Sequence, residues 1–290
     1  MRKLIVNEKY NNKKLNNFIL DNFKNLKSSI LFKALRKKDI KVNGSRISEN
    51  IIIHTGDEVL IFIDDKFLFG DISNSIKVIF EDSNILVVFK PKNISVTADK
   101  YSEPTLTDLV KKQFGQNLEP CHRLDRNTTG LVLFAKTDVA LQILLEKFKN
   151  KEIEKHYKAL VYGIPKEKHK ILKSYLFKDN KKSIVYISDV AKKGYLEIIT
   201  EYTLLSENKK DNTSVLDINL HTGRTHQIRA HLAHIGHPII GDGKYGINEI
   251  NKKFGIKTQE LSSYKIKFNF IKDANILEYL NGTEISYLNK

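Results

Sequence analysis

The chain has 290 residues, 41% of them hydrophobic, so it can bury the cores of two modest domains or of one domain with an appendage. Lys+Arg 49 against Asp+Glu 34 leaves a formal charge of +15, which suits a polyanionic partner, although a merely basic soluble protein would carry the same excess. The single cysteine excludes an internal disulfide and a cysteine-based zinc site and fits a reducing, cytoplasmic compartment, while no signal peptide is read and no apolar run approaches the ~18 residues of a membrane span.

Residues 1–12 read as a lead-in of little order. Leu15, Phe18, Ile19 and Phe23 then fall at helical spacing. A second helix starts at Ser28 or Ser29, both good N-caps, and turns Ile30, Leu31, Ala34 and Leu35 inward. Its other face is basic, with Lys33, Arg36 and Lys37. Asn43-Gly44 is a hairpin signal that wants positive φ at both positions, and Arg46 follows it. Ile51 to Ile53, the Gly56-Asp57 turn and Val59 to Ile63 complete a few short strands, and Asp64 to Asn74 reads as a linker or hinge.

Ile76 to Phe80 and the run from Asn84 to Phe89 read as strands, the second closed by Lys90-Pro91. Thr105 to Phe114 predicts a helix capped by Thr105 or Thr107. Thr137-Asp138 caps another, with Leu141, Leu144, Leu145 and Phe148 as its inward stripe. From Lys155 the period switches to two, giving strands at His156 to Gly163, Ser183 to Ile187, Tyr195 to Leu204 and Thr213 to Leu220, with Tyr264 to Phe268 near the end. Strands interrupted by helices predict an α+β fold with a mixed, largely antiparallel sheet.

The stretch most informative about chemistry is Cys121-His122-Arg123-Leu124-Asp125-Arg126-Asn127-Thr128-Thr129-Gly130, which runs into the apolar Leu131 to Ala135. An acid between two arginines predicts an ionised carboxylate, and Asn-Thr-Thr-Gly is turn chemistry. The residues place a fixed carboxylate at the lip of a sheet. Two readings fit them: a catalytic Asp125, or a structural Asp–Arg pair that closes a turn.

His122-Arg123-Leu124-Asp125 with Thr128-Thr129-Gly130 and then Ala135-Lys136-Thr137 resembles the catalytic motif of the RluA family of pseudouridine synthases. The resemblance implies that Asp125 is the essential aspartate and that Arg123 fills the gap left by a flipped nucleotide. Lys155-His156-Tyr157-Lys158-Ala159-Leu160-Val161 is similar to the family's second motif, which implies that Tyr157 stacks on the target base. Leu220 to Leu232 resembles the third, which Gly236-His237-Pro238-Ile239 and Gly241-Asp242 to Tyr245-Gly246 continue, and implies an ion pair between Arg229 and Asp125. By its own pattern this last segment predicts a helix that starts near Thr222-Gly223 and offers Arg224, Arg229 and backbone N–H groups to phosphate, with His226 facing RNA. Leu15 to Ile63, on Val42-Asn43-Gly44, Arg46 and Gly56-Asp57, resembles the RNA-binding domain named after ribosomal protein S4. That likeness implies RNA contacts by Lys33, Arg36, Lys37 and Arg46. The expected organisation is a lead-in at 1–12, an S4-like domain at 13–70, a linker at 71–77 and a catalytic domain at 78–290.

Two further patterns carry less. His221, His226, His231, His234 and His237 are dense enough to suggest a metal, but their spacing fits no standard site, so no metal is expected. Gly241 to Gly246 satisfies G-x-G-x-x-G without the β-α units a dinucleotide fold needs, and reads as a glycine-rich loop. The function expected is isomerisation of uridine to pseudouridine, in 23S (large-subunit) ribosomal RNA, by a monomer without a cofactor, since nothing is oxidised and no group is imported. The alternatives are a non-catalytic RNA-binding or ribosome-assembly protein, a synthase acting on transfer RNA, and a base-releasing glycosylase, which would normally use two carboxylates.

Overall fold

The computed structural model describes residues 2–23, 26–64, 67–68, 76–98 and 104–287. They fall into two compact units, residues 1–76 with 97–109 and residues 77–96 with 110–290. By the contacts it makes, the stretch 97–109 groups with the first unit, not with the 78–290 segment expected from sequence. Residues 71–75 of the expected linker lie outside the described residues.

In the first unit, strands β1 (Arg2–Ile5), β3 (Ile40–Val42), β4 (Ser45–Ile47) and β6 (Glu58–Ile61) form an antiparallel sheet of order β1-β6-β3-β4, while β2 (Lys13–Lys14) pairs β5 (Ile52–Ile53). The lead-in expectation is thus corrected. Leu4 and Val6 are apolar enough to be buried, and β1 covers the edge of β6. Helices α1 (Leu15–Asn22) and α2 (Ser28–Arg36) bury Leu15, Phe18, Ile19, Leu31, Ala34 and Leu35 against Ile40, Val59 and Ile61. Neither serine caps α2: its N-cap is Lys27, and Ser28 is already helical. Asn43 and Gly44 take φ of 50° and 81°, as the hairpin turn requires. Asn43 also donates to the Asp57 carboxylate at 2.8 Å and accepts from the N–H of Glu58 at 2.9 Å, which ties the hairpin to the Gly56-Asp57 turn.

The second unit is built on one sheet, mixed but antiparallel at every pairing except one. Its strands are β7 (Lys77–Glu81), β8 (Ile85–Lys90), β9 (Glu119–Pro120), β10 (Thr129–Ala135), β11 (Ile153–Tyr162), β12 (His169–Asp179), β13 (Ile184–Ser188), β14 (Leu196–Asn208), β15 (Thr213–Leu220), β16 (Leu261–Phe268) and β17 (Glu284–Ser286). The order is β13-β12-β14-β15-β11-β16-β10-β8-β7, with β9 on β10 and β17 on β16. Strand β12 escaped the sequence reading because Lys170, Lys173, Ser174 and Lys178 hide the alternation of its apolar residues. Helix α3 (Leu106–Phe114) has a reciprocal cap: Thr105 accepts from the N–H of Asp108, and the Asp108 carboxylate accepts from the N–H of Thr105. Helix α4 (Asp138–Lys149) is capped by Thr137, as its sequence predicts. Its inward face differs from expectation: Leu145 is 43% exposed, while Lys147 is buried with Glu152 at 2.8 Å, because residues 140, 144 and 147 share the covered side. Helices α5 (Gln227–His234) and α6 (Asn248–Phe254) follow β15. Among the described residues no helix is long and apolar enough to cross a membrane.

The one parallel pairing sets where the central loop ends. β10 meets β16 at Thr129↔Ser262 and Gly130↔Ser263, and a Cβ on Gly130 would lie 2.0 Å from the Ser263 carbonyl oxygen. Gly130 also has φ of 113°, which an L side chain resists. Gly130→Ala should therefore lower the unfolding free energy by roughly 2–4 kcal/mol in denaturant titrations, from strain and overpacking together. An unchanged midpoint would show that the two strands do not approach this closely.

Candidate active site

A cleft of about 480 Å³ opens in the second unit, between the 121–128 loop, the end of α4, β11 and the 223–229 segment. Two anchors hold its loop. The His122 ring accepts the N–H of Leu133 at Nε2 (3.1 Å), so the loop is tied to β10. Burial pushes this imidazole down to about 3, and it stays neutral. On the other side, the fully buried Lys90 at the end of β8 gives its three N–H bonds to the carbonyls of Pro91, Ile94 and Arg126 at 2.8–2.9 Å. The residue that closes the strand therefore also holds the backbone next to Asp125. Burial brings its ammonium down to about 7.

The guanidinium of Arg229, 104 residues along the chain, reaches Asp125, with Nη1 2.9 Å from Oδ2. Its other edge is a fork on Asp242, with Nε to Oδ2 at 2.6 Å and Nη2 to Oδ1 at 2.9 Å. Asp242 has no exposed side-chain surface, whereas the Asp125 side chain is 25% exposed toward the cleft. Burial alone would raise the Asp242 carboxyl, but Arg229 and the backbone N–H groups of Lys244 and Tyr245 outweigh it and hold the group below the usual carboxylate range. Asp242 was missed by the sequence reading. Its signal was there, inside the Gly241-Asp242-Gly243 turn, where Gly241 has φ of 84° and no room for a Cβ.

The helix expected from Thr222-Gly223 begins later, at Gln227. The buried Gln227 side chain is the reason. Its Oε1 accepts from the N–H of Arg224 and the hydroxyl of Thr222, and its Nε2 donates to the Ile199 carbonyl and to Thr200. These bonds keep 222–226 as a loop, with Arg224 exposed on the rim of the cleft. His226 ends that loop at φ of 54°, its Nδ1 2.9 Å from the Tyr245 hydroxyl. That hydroxyl also accepts from the N–H of Val185. Burial holds His226 down to about 4, hence neutral.

Tyr157 lies on β11 between Ile218 and Ser263, buried to 4% exposure, with its side chain in the lining. Burial first, and the Asp125 charge second, push its phenol up, so it remains protonated. Arg123 is exposed on the lining, close in sequence to Asp125. The structure thus brings together Asp125, Tyr157, Arg229, Arg123, Arg224 and His226. The other residues expected to bind RNA, Lys33, Arg36, Lys37 and Arg46, are exposed in the first unit, where the Arg46 guanidinium sits 5.6 Å from the Phe62 ring centre. The five clustered histidines disperse to separate partners: His221 to Glu201, His226 to Tyr245, His231 to Thr200 and Ser174, His234 to Asp189, and His237 against Gly163. No group of three metal-ligating side chains forms among the described residues.

Comparison with known proteins agrees with this geometry. The family model described as RNA pseudouridylate synthase matches residues 84–234. The ribosomal large subunit pseudouridine synthase C of Buchnera aphidicola (subsp. Acyrthosiphon pisum) is 31% identical, across 94% of this chain and 90% of its own. The mitochondrial tRNA pseudouridine(32) synthase of Saccharomyces cerevisiae is 30% identical, across 84% of this chain and 52% of its own. Among solved structures, human RNA pseudouridylate synthase domain containing 1 has the same fold, with a TM-score of 0.61 at 20% identity over 75% of this chain and 84% of that one. The motif resemblance, the family match across half the chain and the near full-length relative agree: the chain belongs to the RNA pseudouridylate synthase family and is an isomerase that acts on RNA.

Proposed function

We propose that Asp125 is the catalytic aspartate of this isomerase, that Tyr157 carries the target base, and that the substrate is a uridine of large-subunit ribosomal RNA. The observation that supports the reading is the placement of Asp125: a part-exposed carboxylate fixed by Arg229 in a cleft whose other charged lining residues are cations. The reaction breaks the bond from ribose to N1 of uracil, turns the base, and forms a bond from ribose to C5, from which a proton leaves. The carboxylate can attack C1′ or take a proton from the ribose, and either step needs the geometry that Arg229 imposes. Tyr157, neutral and held by the sheet, offers a ring face to the extruded uracil. Arg123 and Arg224 at the rim face the RNA backbone and the vacancy left in the strand, and compensate for part of the few kcal/mol that extrusion costs.

The first unit acts as an S4-like RNA-binding domain, with the exposed Lys33, Arg36, Lys37 and Arg46 on phosphates. The pairing of such a module with this catalytic domain, and the ribosomal name of the Buchnera relative, favour ribosomal over transfer RNA and a cytoplasmic site of action. In this reading the protein acts as a monomer.

Asp125→Asn should abolish tritium release from RNA labelled at C5 of uracil, while RNA affinity stays within about a few-fold, because amide and acid are isosteric and phosphate contacts dominate binding. Turnover near the parent rate would refute the assignment of Asp125. Free uracil in place of pseudouridine would make the protein a glycosylase.

Arg229→Ala should abolish turnover and lower stability by about 3–5 kcal/mol, since Asp242 would be left as a buried, unpaired charge. Arg229→Lys should recover stability only in part, having a charge but no planar fork. Thermal unfolding of the two variants separates these effects.

Pseudouridine mapping by carbodiimide adducts, in ribosomal and transfer RNA from cells with and without the gene, tests the substrate. A signal lost only from transfer RNA would overturn the ribosomal assignment and leave the chemistry intact. Replacing Lys33, Arg36 and Lys37 together by Ser should flatten the salt dependence of binding by about three phosphate contacts.

A further inference from the structure

Lys155 precedes Tyr157 by two residues on β11, and the period of a strand turns both side chains to the same side, into the cleft. Its ammonium lies 5.0 Å from the Phe148 ring centre. It also reaches the backbone of Gly223, where an added Cβ would stand 3.8 Å from Nζ. Other enclosed cations of the unit have acceptors: Lys90 has three carbonyls, Lys147 has Glu152, and Arg229 has two carboxylates. Lys155 has neither a carboxylate nor a carbonyl bonded to it among the described residues. Burial alone brings it down to about 8. An enclosed cation without a counter-ion is unfavourable in the free protein, and a ligand that brings the anion relieves it.

The surroundings narrow the choice of anion. His122 and Arg123 face this side of the cleft from the loop before β10, Phe148 and Lys149 from the end of α4, and Arg224 and His226 from the loop before α5. The charged groups among them are cations, the two histidines are neutral, and the single carboxylate of the lining, Asp125, is held by Arg229. An RNA strand brings one kind of anion, the phosphodiester. The two side chains are separated by about 6.6 Å along the strand, of the order of the distance from a base to its own phosphate. We propose that Lys155 binds the phosphate of the target nucleotide and so sets its ribose over Asp125 while the base lies on Tyr157. This inference rests on the roles proposed above for Asp125 and Tyr157.

The test measures tritium release from total ribosomal RNA labelled at C5 of uracil, taken from cells that lack the gene, with the parent, Lys155→Met and Lys155→Arg. Lys155→Met should lose roughly ten- to a hundredfold in kcat/KM, the range of a charge-assisted hydrogen bond, and mostly through KM because the contact exists before and during reaction. Lys155→Arg should keep most of it. In the parent, kcat/KM should fall as pH rises through about 8, because the ammonium carries its charge only below that value. In Lys155→Arg that fall should vanish, since a guanidinium stays charged. A Lys155→Met variant within about twofold of the parent, or a fall near pH 8 that persists in Lys155→Arg, would overturn the proposal. So would a loss confined to kcat, which would put the ammonium on the departing uracil. In each of these cases an active parent leaves the function standing; a parent that releases no tritium sinks the reaction, and this phosphate site with it.

Discussion

One guanidinium faces two carboxylates, and the site depends on how unequally it is shared. Arg229 gives two parallel N–H bonds to the fully buried Asp242 and one to the part-exposed Asp125. A planar group held at two points cannot turn, so its third donor has a fixed direction. Asp242 is fixed in turn by the N–H groups of Lys244 and Tyr245, within a turn that only Gly241 can make at its start. The 121–130 loop meets two stretches about a hundred residues further on, 227–234 and 239–246, at this pair of ion bonds. Asp125 thereby combines a defined position with access to the cleft, two properties that full burial or full exposure would each forfeit.

The electrostatics around that carboxylate are those of a site waiting for a polyanion. Burial keeps His122, His226 and Tyr157 neutral, so the positive charge on the cleft walls comes from arginine and lysine alone. Arg229 is matched within the protein; Arg123 and Arg224 stand exposed at the rim, in higher dielectric, where an anion can meet them without much desolvation cost. Tyr157 adds a neutral aromatic ring to the lining, the one proposed to carry the base. A neutral floor and a cationic rim suit extraction of one nucleotide from a folded strand, since base and backbone require opposite environments.

The first unit follows the same economy of means in a smaller core. Asn43 makes the left-handed turn of its hairpin and also bonds Asp57 and Glu58, so local turn chemistry and sheet closure use one side chain. This leaves α2 free to expose Lys33, Arg36 and Lys37 while Leu31, Ala34 and Leu35 hold it to the sheet. The family match begins at residue 84, past the residues that carry this basic face.

What the sequence determined by itself was whatever depends on neighbours along the chain. The two-residue period marked β11 and β15, Asn43-Gly44 marked its turn, Thr137 marked its cap, and the motif around Asp125 marked the family. Where short-range signals conflicted with packing, the reading slipped: β1 was taken for a disordered lead-in, Leu145 for a core residue, and the start of α5 was set too early. In two of these cases a partner distant in sequence decided, namely β6 and the Ile199–Thr200 edge that binds Gln227. Tertiary structure alone revealed Asp242 as the anchor of Arg229, Lys90 as the staple of the loop and Lys155 as an unmatched cation. Burial and charge pairing are properties of position in space, and no pattern of spacing along the chain records which charges will be left without a partner.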